Sequence, residues 1–192
     1  GALGSNTTAS NNTAVGKSAL EQNTTGTENI AIGAASLTAN TEGDANIAIG
    51  FQALDANTTG DKNVAIGRSA LGSSTTTDGN TAVGHFALLN NTTGTNNAAF
   101  GLEALVSNTT GALNTAVGSN ALDSNTTANQ NVAVGYNSLQ NNSTGEQNTG
   151  LGTNSLNSNS TGNYNVGIGK RALYTNTSGS QNTSVGVNAL DN

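Results

Sequence analysis

No cysteine, proline, methionine or tryptophan occurs among the 192 residues, the aromatics are three Tyr and three Phe, and charged side chains make up only 8%. Without cysteine there is no disulfide scaffold, thiolate metal site or cysteine nucleophile. A disordered chain is also poor in apolar residues, but it typically carries charge and proline; this chain has little of the first and none of the second. Its 33% apolar content nevertheless falls short of the roughly 45–50% of an ordinary soluble domain. No apolar run approaches the ~18 residues of a membrane span, and the chain opens on no basic-then-apolar leader pattern. Membrane insertion by this segment is therefore not expected. Five Lys+Arg within a net charge of −6 leave too few cations to neutralise a phosphate backbone, which argues against nucleic acid as a partner.

What the chain has in abundance is repetition. The pattern Asn-x-small-apolar-Gly recurs from Asn12, Asn29, Asn46 and Asn63 to Asn182 at an unbroken interval of seventeen residues, giving eleven units plus five residues. The consensus unit is N-[TIV]-A-[VI]-G-x-x-A-L-x-x-N-T-T-G-x-x, and its residues are numbered below by position in the unit. Position 1 is Asn and position 5 is Gly in every unit, as in Gly33, Gly50 and Gly67, while position 9 is always Leu, as in Leu37, Leu54 and Leu71. Position 4 is always apolar, as in Ile32, Ile49 and Ile66, whereas positions 6, 7, 10, 16 and 17 vary freely. The fixed set reads as architecture and the variable set as surface.

A seventeen-residue period is too short for helix-turn-helix repeats, and Asn, Thr and Gly are poor helix formers. Two short β-compatible runs, N-[TIV]-A-[VI] and x-A-L-x, are each bounded by turn signals. The expected fold is all-β, a parallel β-solenoid or β-roll with one 17-residue coil per repeat and two strands per coil. Residues 1–192 then form a single repeat array, a segment of a longer fibrous protein. At about 4.8 Å per coil it is a rod roughly 50 Å long. In such a stack each residue lies above its equivalent, so Asn29, Asn46 and Asn63 are expected to form a buried amide ladder. Gly33, Gly50 and Gly67 mark either a left-handed corner or a contact too close for a Cβ, and the frequent Gly at position 15 marks a second corner. The apolar side chains of one coil are few against the cost of ordering seventeen residues, which points to a further core between chains. Strand alternation puts positions 2 and 4 on one side and positions 1 and 3 on the other. One side lines the coil and the other an intersubunit axis; alternation alone leaves both assignments open.

The unit as it stands in Asn29-Ile30-Ala31-Ile32-Gly33 or Asn131-Val132-Ala133-Val134-Gly135 resembles the head repeat of trimeric autotransporter adhesins. The longer form with N-T-T-G is also similar to repeats of phage-type tail fibres and bacterial surface proteins. The similarity covers the whole chain. It implies a left-handed parallel β-roll, three chains packed as a homotrimer around Val/Ile at positions 2 and 4, and a place on a cell surface or virion fibre. The partner it implies is a host or cell-surface protein or carbohydrate. This unit is a few residues longer than the adhesin repeat, which makes N-T-T-G a longer outer turn.

Chemistry-bearing residues are sparse. His85 is the only histidine and falls at variable position 6, so no nucleophile-base arrangement is set up and no enzyme is expected. Asp44, Asp61 and Asp78 share position 16 of successive units; they read as exposed turn carboxylates or, less simply, as oxygen ligands for calcium. Neither a metal nor a cofactor is assigned. Phe51, Phe86, Tyr136, Tyr164 and Tyr174, with Arg171, sit at variable positions and are candidate surface contacts able to stack on sugar rings or anchor a protein. Asn-x-Ser/Thr sequons, among them Asn23, Asn57, Asn91 and Asn108, are candidate glycosylation sites. The expected function is a structural, adhesive rod segment of an extracellular fibre, either an adhesin head or a tail-fibre shaft. Ranked threonines at positions 13 and 14, such as Thr58-Thr59 and Thr92-Thr93, give the alternative of an ice-binding β-solenoid.

Overall fold

In the computed structural model, which describes residues 1–191, eleven three-residue strands form one parallel sheet in sequence order. They run from β1 (Thr13–Val15), β2 (Ile30–Ile32), β3 (Ile47–Ile49) and β4 (Val64–Ile66) through to β11 (Thr183–Val185). Every strand pairs with its equivalent one repeat away, so Ile30 lies beside Ile47, Ala31 beside Ala48 and Ile32 beside Ile49. The chain is thus an all-β parallel β-solenoid built from 17-residue coils, with no helix among the described residues. Insertions are absent from the sequence for a physical reason: a single extra residue would shift every ladder above it.

The second run, x-A-L-x, is not a strand. Positions 7 and 9 are both left-handed, with Ala35 and Leu37 at φ 56° and 50° and Gln52 and Leu54 at φ 54° and 52°. Left-handed backbone costs a Cβ-bearing residue roughly 1–2 kcal/mol. Full burial of the leucine, worth about 1.5–3 kcal/mol, offsets that cost, and the Leu37 N–H donates to Ala53 O of the next coil at 2.9 Å. The alternation folds this segment tightly under the strand and drops Leu37, Leu54 and Leu71 into the coil interior, where all three are buried. There they stack into a column against Ala31, Ala48 and Ala65 of the strands and Ala53 and Ala70 of the turn.

Positions 1 and 3 therefore face in, and positions 2 and 4 face out. The interior is narrow enough that alanine pairs are size-matched. Where position 3 loses its methyl, at Gly150 and Gly167, position 8 of the preceding coil gains a hydroxyl: Ser138 Oγ donates to Gly150 O at 2.9 Å and Ser155 Oγ to Gly167 O at 2.7 Å. A Cβ at Gly150 would lie 2.6 Å from Ser138 Oγ. The two substitutions compensate for one another in volume.

Both expectations for the position 5 glycine hold. Gly33, Gly50 and Gly67 adopt φ 131°, 137° and 131°, and a Cβ on Gly50 would stand 2.6 Å from the next coil's Gly67 O. Position 15 is different: Gly43 and Gly60 are not left-handed, and the left-handed corner falls instead at position 17, on Ala45 (φ 56°) and Lys62 (φ 57°). What glycine gives at position 15 is closeness: a Cβ on Gly43 would lie 2.5 Å from both Asn40 Oδ1 and Gly60 O, and where alanine takes the position, at Ala128, its carbonyl accepts from Asn125 Nδ2 at a longer 3.2 Å.

Two asparagine columns line the interior. Along position 1 the Oδ1 of Asn29 accepts the backbone N–H of Asn46 at 2.9 Å, and Asn46 Oδ1 accepts that of Asn63 at 3.0 Å. Their amide nitrogens cross the coil to position 15 carbonyls: Asn29 Nδ2 to Gly43 O and Asn46 Nδ2 to Gly60 O, both at 2.8 Å. The more regular amide-to-amide ladder runs along position 12, where Asn40 donates to Asn23 Oδ1 at 2.9 Å and Asn57 to Asn40 Oδ1 at 2.8 Å. It resumes with Asn108 to Asn91 and Asn125 to Asn108. One gap interrupts it, at Ser74, whose hydroxyl pairs with Thr77. Asn57 Oδ1 is left buried without a partner.

Candidate interaction surfaces

Alternation on a three-residue strand sorts the surface first. With the small third residue inward, Ile47 and Val64 at position 2 are half-buried, and position 4 is more open, with Ile32 38% and Phe100 40% exposed. Ile49 and Ile66 line the same rank and are half-buried. Position 4 is apolar in all eleven strands. The outer face of the sheet thus carries an unbroken apolar rank about 50 Å long, flanked by the Ile, Val, Ala and Thr side chains of position 2. Soluble monomers rarely leave so extended an apolar surface open.

The variable positions make further ranks beyond the glycine corner. Phe51, Arg68 and His85 occupy position 6 of three consecutive coils, and Phe86 follows His85 at position 7. The Arg68 guanidinium carbon lies 5.8 Å from the centroid of the Phe51 ring and 5.8 Å from that of Phe86. The His85 and Phe86 rings are tilted by 45° with centroids 3.9 Å apart. Tyr136 and Tyr164 are exposed. Tyr174 lies under Arg171 at 4.2 Å, and Arg171 pairs with Asp191 at 3.1 Å. Of the five aromatics singled out from the sequence, Phe51 and Phe86 are brought together, through an arginine that sequence reasoning passed over. Aligning residues by position in the unit, rather than by distance along the chain, would have placed Arg68 between Phe51 and His85.

Asp44, Asp61 and Asp78 do stack, and each carboxylate accepts a backbone N–H from the preceding coil: Thr27 to Asp44 at 2.6 Å, Asp44 to Asp61 at 2.7 Å and Asp61 to Asp78 at 2.8 Å. Asn129 and Asn163 do the same for Ala112 and Glu146, so the shared property of these residues is an acceptor oxygen, not a charge. At position 10, burial pushes the Asp55 and Asp123 carboxyls above the usual carboxylate range. Glu21 is held below that range by a hydrogen bond from Ser18 and by the N-terminal ammonium.

The sequons are not exposed turns. Asn23, Asn57, Asn91 and Asn108 are fully buried, and their Nδ2 atoms donate inward to Gly26, Gly60, Gly94 and Gly111 carbonyls at 2.8–3.0 Å. The folded coil offers no accessible amide nitrogen for a glycan there. The recurrent Asn at position 12, replaced by Ser74 in one unit, was legible as a pattern, and its Thr-Thr-Gly context disguised it as a turn. The threonines divide in the same way. Thr58 and Thr92 at position 13 donate to the next coil's carbonyls at 3.0 and 2.9 Å, while Thr59, Thr76 and Thr93 at position 14 face solvent.

Among the described residues no group of three or more His, Asp or Glu side chains is placed to hold a metal ion, and no helix is long and apolar enough to cross a membrane. A cavity lined by Leu173, Asn176, Gly179, Asn182 and Leu190 is the open end of the last coils. Compared with known proteins, the chain matches no family model, no curated protein and no solved structure.

Proposed function

We propose that this chain is a structural, adhesive rod segment of an extracellular fibre, in which three copies pack through their Val/Ile sheet faces. The observation that carries the reading is the apolar rank of position 4, flanked at position 2 by Ile30, Ile47, Val64, Val132 and Val166, standing outside a coil whose own core is already closed by leucine, alanine and asparagine. A symmetric, closed association buries that rank along its whole length without leaving a copy free to polymerise sideways. The left-handed roll implied by the resemblance to adhesin heads belongs to this same proposal, as does a location on a cell surface or virion. Mechanically, the stacked ladders resist pulling and proteolysis, and the variable positions diversify what the fibre touches. Light scattering on the purified chain tests the assembly: the reading expects about three times the 18.9 kDa chain mass, and a stable single-chain mass contradicts it.

The solvent-facing rank of Thr59, Thr76 and Thr93 favours a second reading, ice binding. It requires thermal hysteresis that disappears when these three residues are replaced, and a concentrated solution without hysteresis rejects it.

A further inference from the structure

We propose that the coils carrying Phe51, Arg68, His85 and Leu102 hold a recognition site for an acidic saccharide, centred on Arg68 between its two phenylalanines. The inference rests on the reading of the rod as a scaffold that presents binding surfaces.

The two arginines of the chain both lie over aromatic rings, and only one has an acidic partner. Arg171 lies over Tyr174 and spends its charge on Asp191. Arg68 lies 5.8 Å from the ring centroids of both Phe51 and Phe86, within cation–π reach of each, and among the described residues it donates no side-chain hydrogen bond, the ion pairs there being Gly1–Glu21 and Arg171–Asp191. Its fork of N–H donors is therefore flanked by two rings and left open, and such a fork matches a carboxylate bidentately. Around it lie apolar surfaces without cover: Phe51 is 48% exposed and Leu102 47%. The chain as a whole carries −6, and Arg68 is the cation of the rank from Phe51 to Leu102, with the Glu103 carboxylate two coils away at position 7.

Shape selects the partner class. Apolar anchors of a protein partner bind in well-packed, desolvated pockets, whereas Phe51 and Leu102 stand 48% and 47% exposed on an outer rank. Flat, half-exposed rings instead suit stacking against the apolar face of a pyranose. Position 6 side chains rise about 4.8 Å per coil, so ring, cation and imidazole are ordered along the rod axis, a track for successive sugar units. The site begins one residue past the glycine corner, where the chain has left the sheet, so packing of the Val/Ile faces leaves it accessible.

The test is a calorimetric titration of the full chain with 3′-sialyllactose, with lactose and with the hydrophobic peptide acid N-acetyl-Leu-Phe, while light scattering follows the mass of the same samples. The expected result is saturable millimolar binding of sialyllactose, about tenfold weaker binding of lactose, and loss of that preference in Arg68→Gln. Phe51→Ala weakens both sugars, and Arg171→Gln changes neither. Should Phe51→Ala melt early, Arg68→Gln and Arg68→Lys decide alone, with Lys expected to restore only part of the preference because it lacks the fork. No saturation by sialyllactose, unchanged binding in Arg68→Gln, or tighter binding of the peptide overturns the site. A trimer that binds no acidic sugar overturns this inference and leaves the rod standing; a monomer that binds it overturns the assembly and leaves the site.

Discussion

Ser74 and Thr77 are departures from the consensus that explain each other. Asparagine at position 12 packs tightly against position 15: a Cβ on Gly60 would stand 2.5 Å from Asn57 Oδ1, and beside an asparagine nothing larger than alanine, as at Ala128 with Asn125, takes that position. Threonine at 77 removes that space, and the shorter Ser74 fits beside it. The ladder loses a rung, and a buried Asn57 oxygen goes unpaired. Restoring the consensus with Ser74→Asn and Thr77→Gly together is expected to raise stability by about 1–3 kcal/mol, the usual cost of an unsatisfied buried polar group. Ser74→Asn alone gains less than this or destabilises, so the two changes are non-additive in denaturant melts. At this scale the sequence is legible where residue type dictates geometry. Gly50 is fixed because only glycine serves there, and Asn46 because only an amide both accepts and donates at that spacing. Leu54 is equally fixed, yet nothing in a leucine announces a φ of 52°.

The coil is the element in which that leucine matters. Two apolar runs per unit look alike by composition, but only one is extended; the other alternates handedness so that alanine and leucine reach the same interior as the strand's alanine. The strand itself was readable, because positions 2, 3 and 4 alternate large, small, large. Which side faced inward was not, since both sides carry apolar groups, and the answer comes from volume: the interior takes only alanine or glycine at position 3, with one buried serine, Ser184, in the last strand. Neighbouring residues of β3 therefore respond in opposite ways. Ala48→Val overpacks the column beneath and is expected to cost about 1–3 kcal/mol in melting stability. Ile49→Lys leaves the secondary structure by circular dichroism in place and shifts the native mass to that of a single chain. If Ile49→Lys leaves the mass unaltered, the outward face is not the assembly face.

Across the whole molecule, each coil touches only its neighbours, so stability and length grow together in the manner of other repeat arrays. The strict period made the array, the solenoid and its length readable from the sequence. Surface function was less so, because the ranks that meet a ligand are assembled from residues seventeen apart, and Arg68 gains significance only when Phe51 and Phe86 are seen on either side of it. The central claim is that the Val/Ile rank is an interface between copies, and the absence of cysteine from the chain makes a clean test available. Ile66→Cys, on the outer face of β4, is to be treated in the native state with a short bismaleimide, beside Tyr136→Cys on the exposed turn. If copies meet along this face, the Ile66→Cys variant cross-links chain to chain and its thiol resists a bulky maleimide until the protein is unfolded, while the Tyr136→Cys variant labels at once and does not cross-link. Rapid native labelling of the Ile66→Cys variant with no cross-linked product would contradict it.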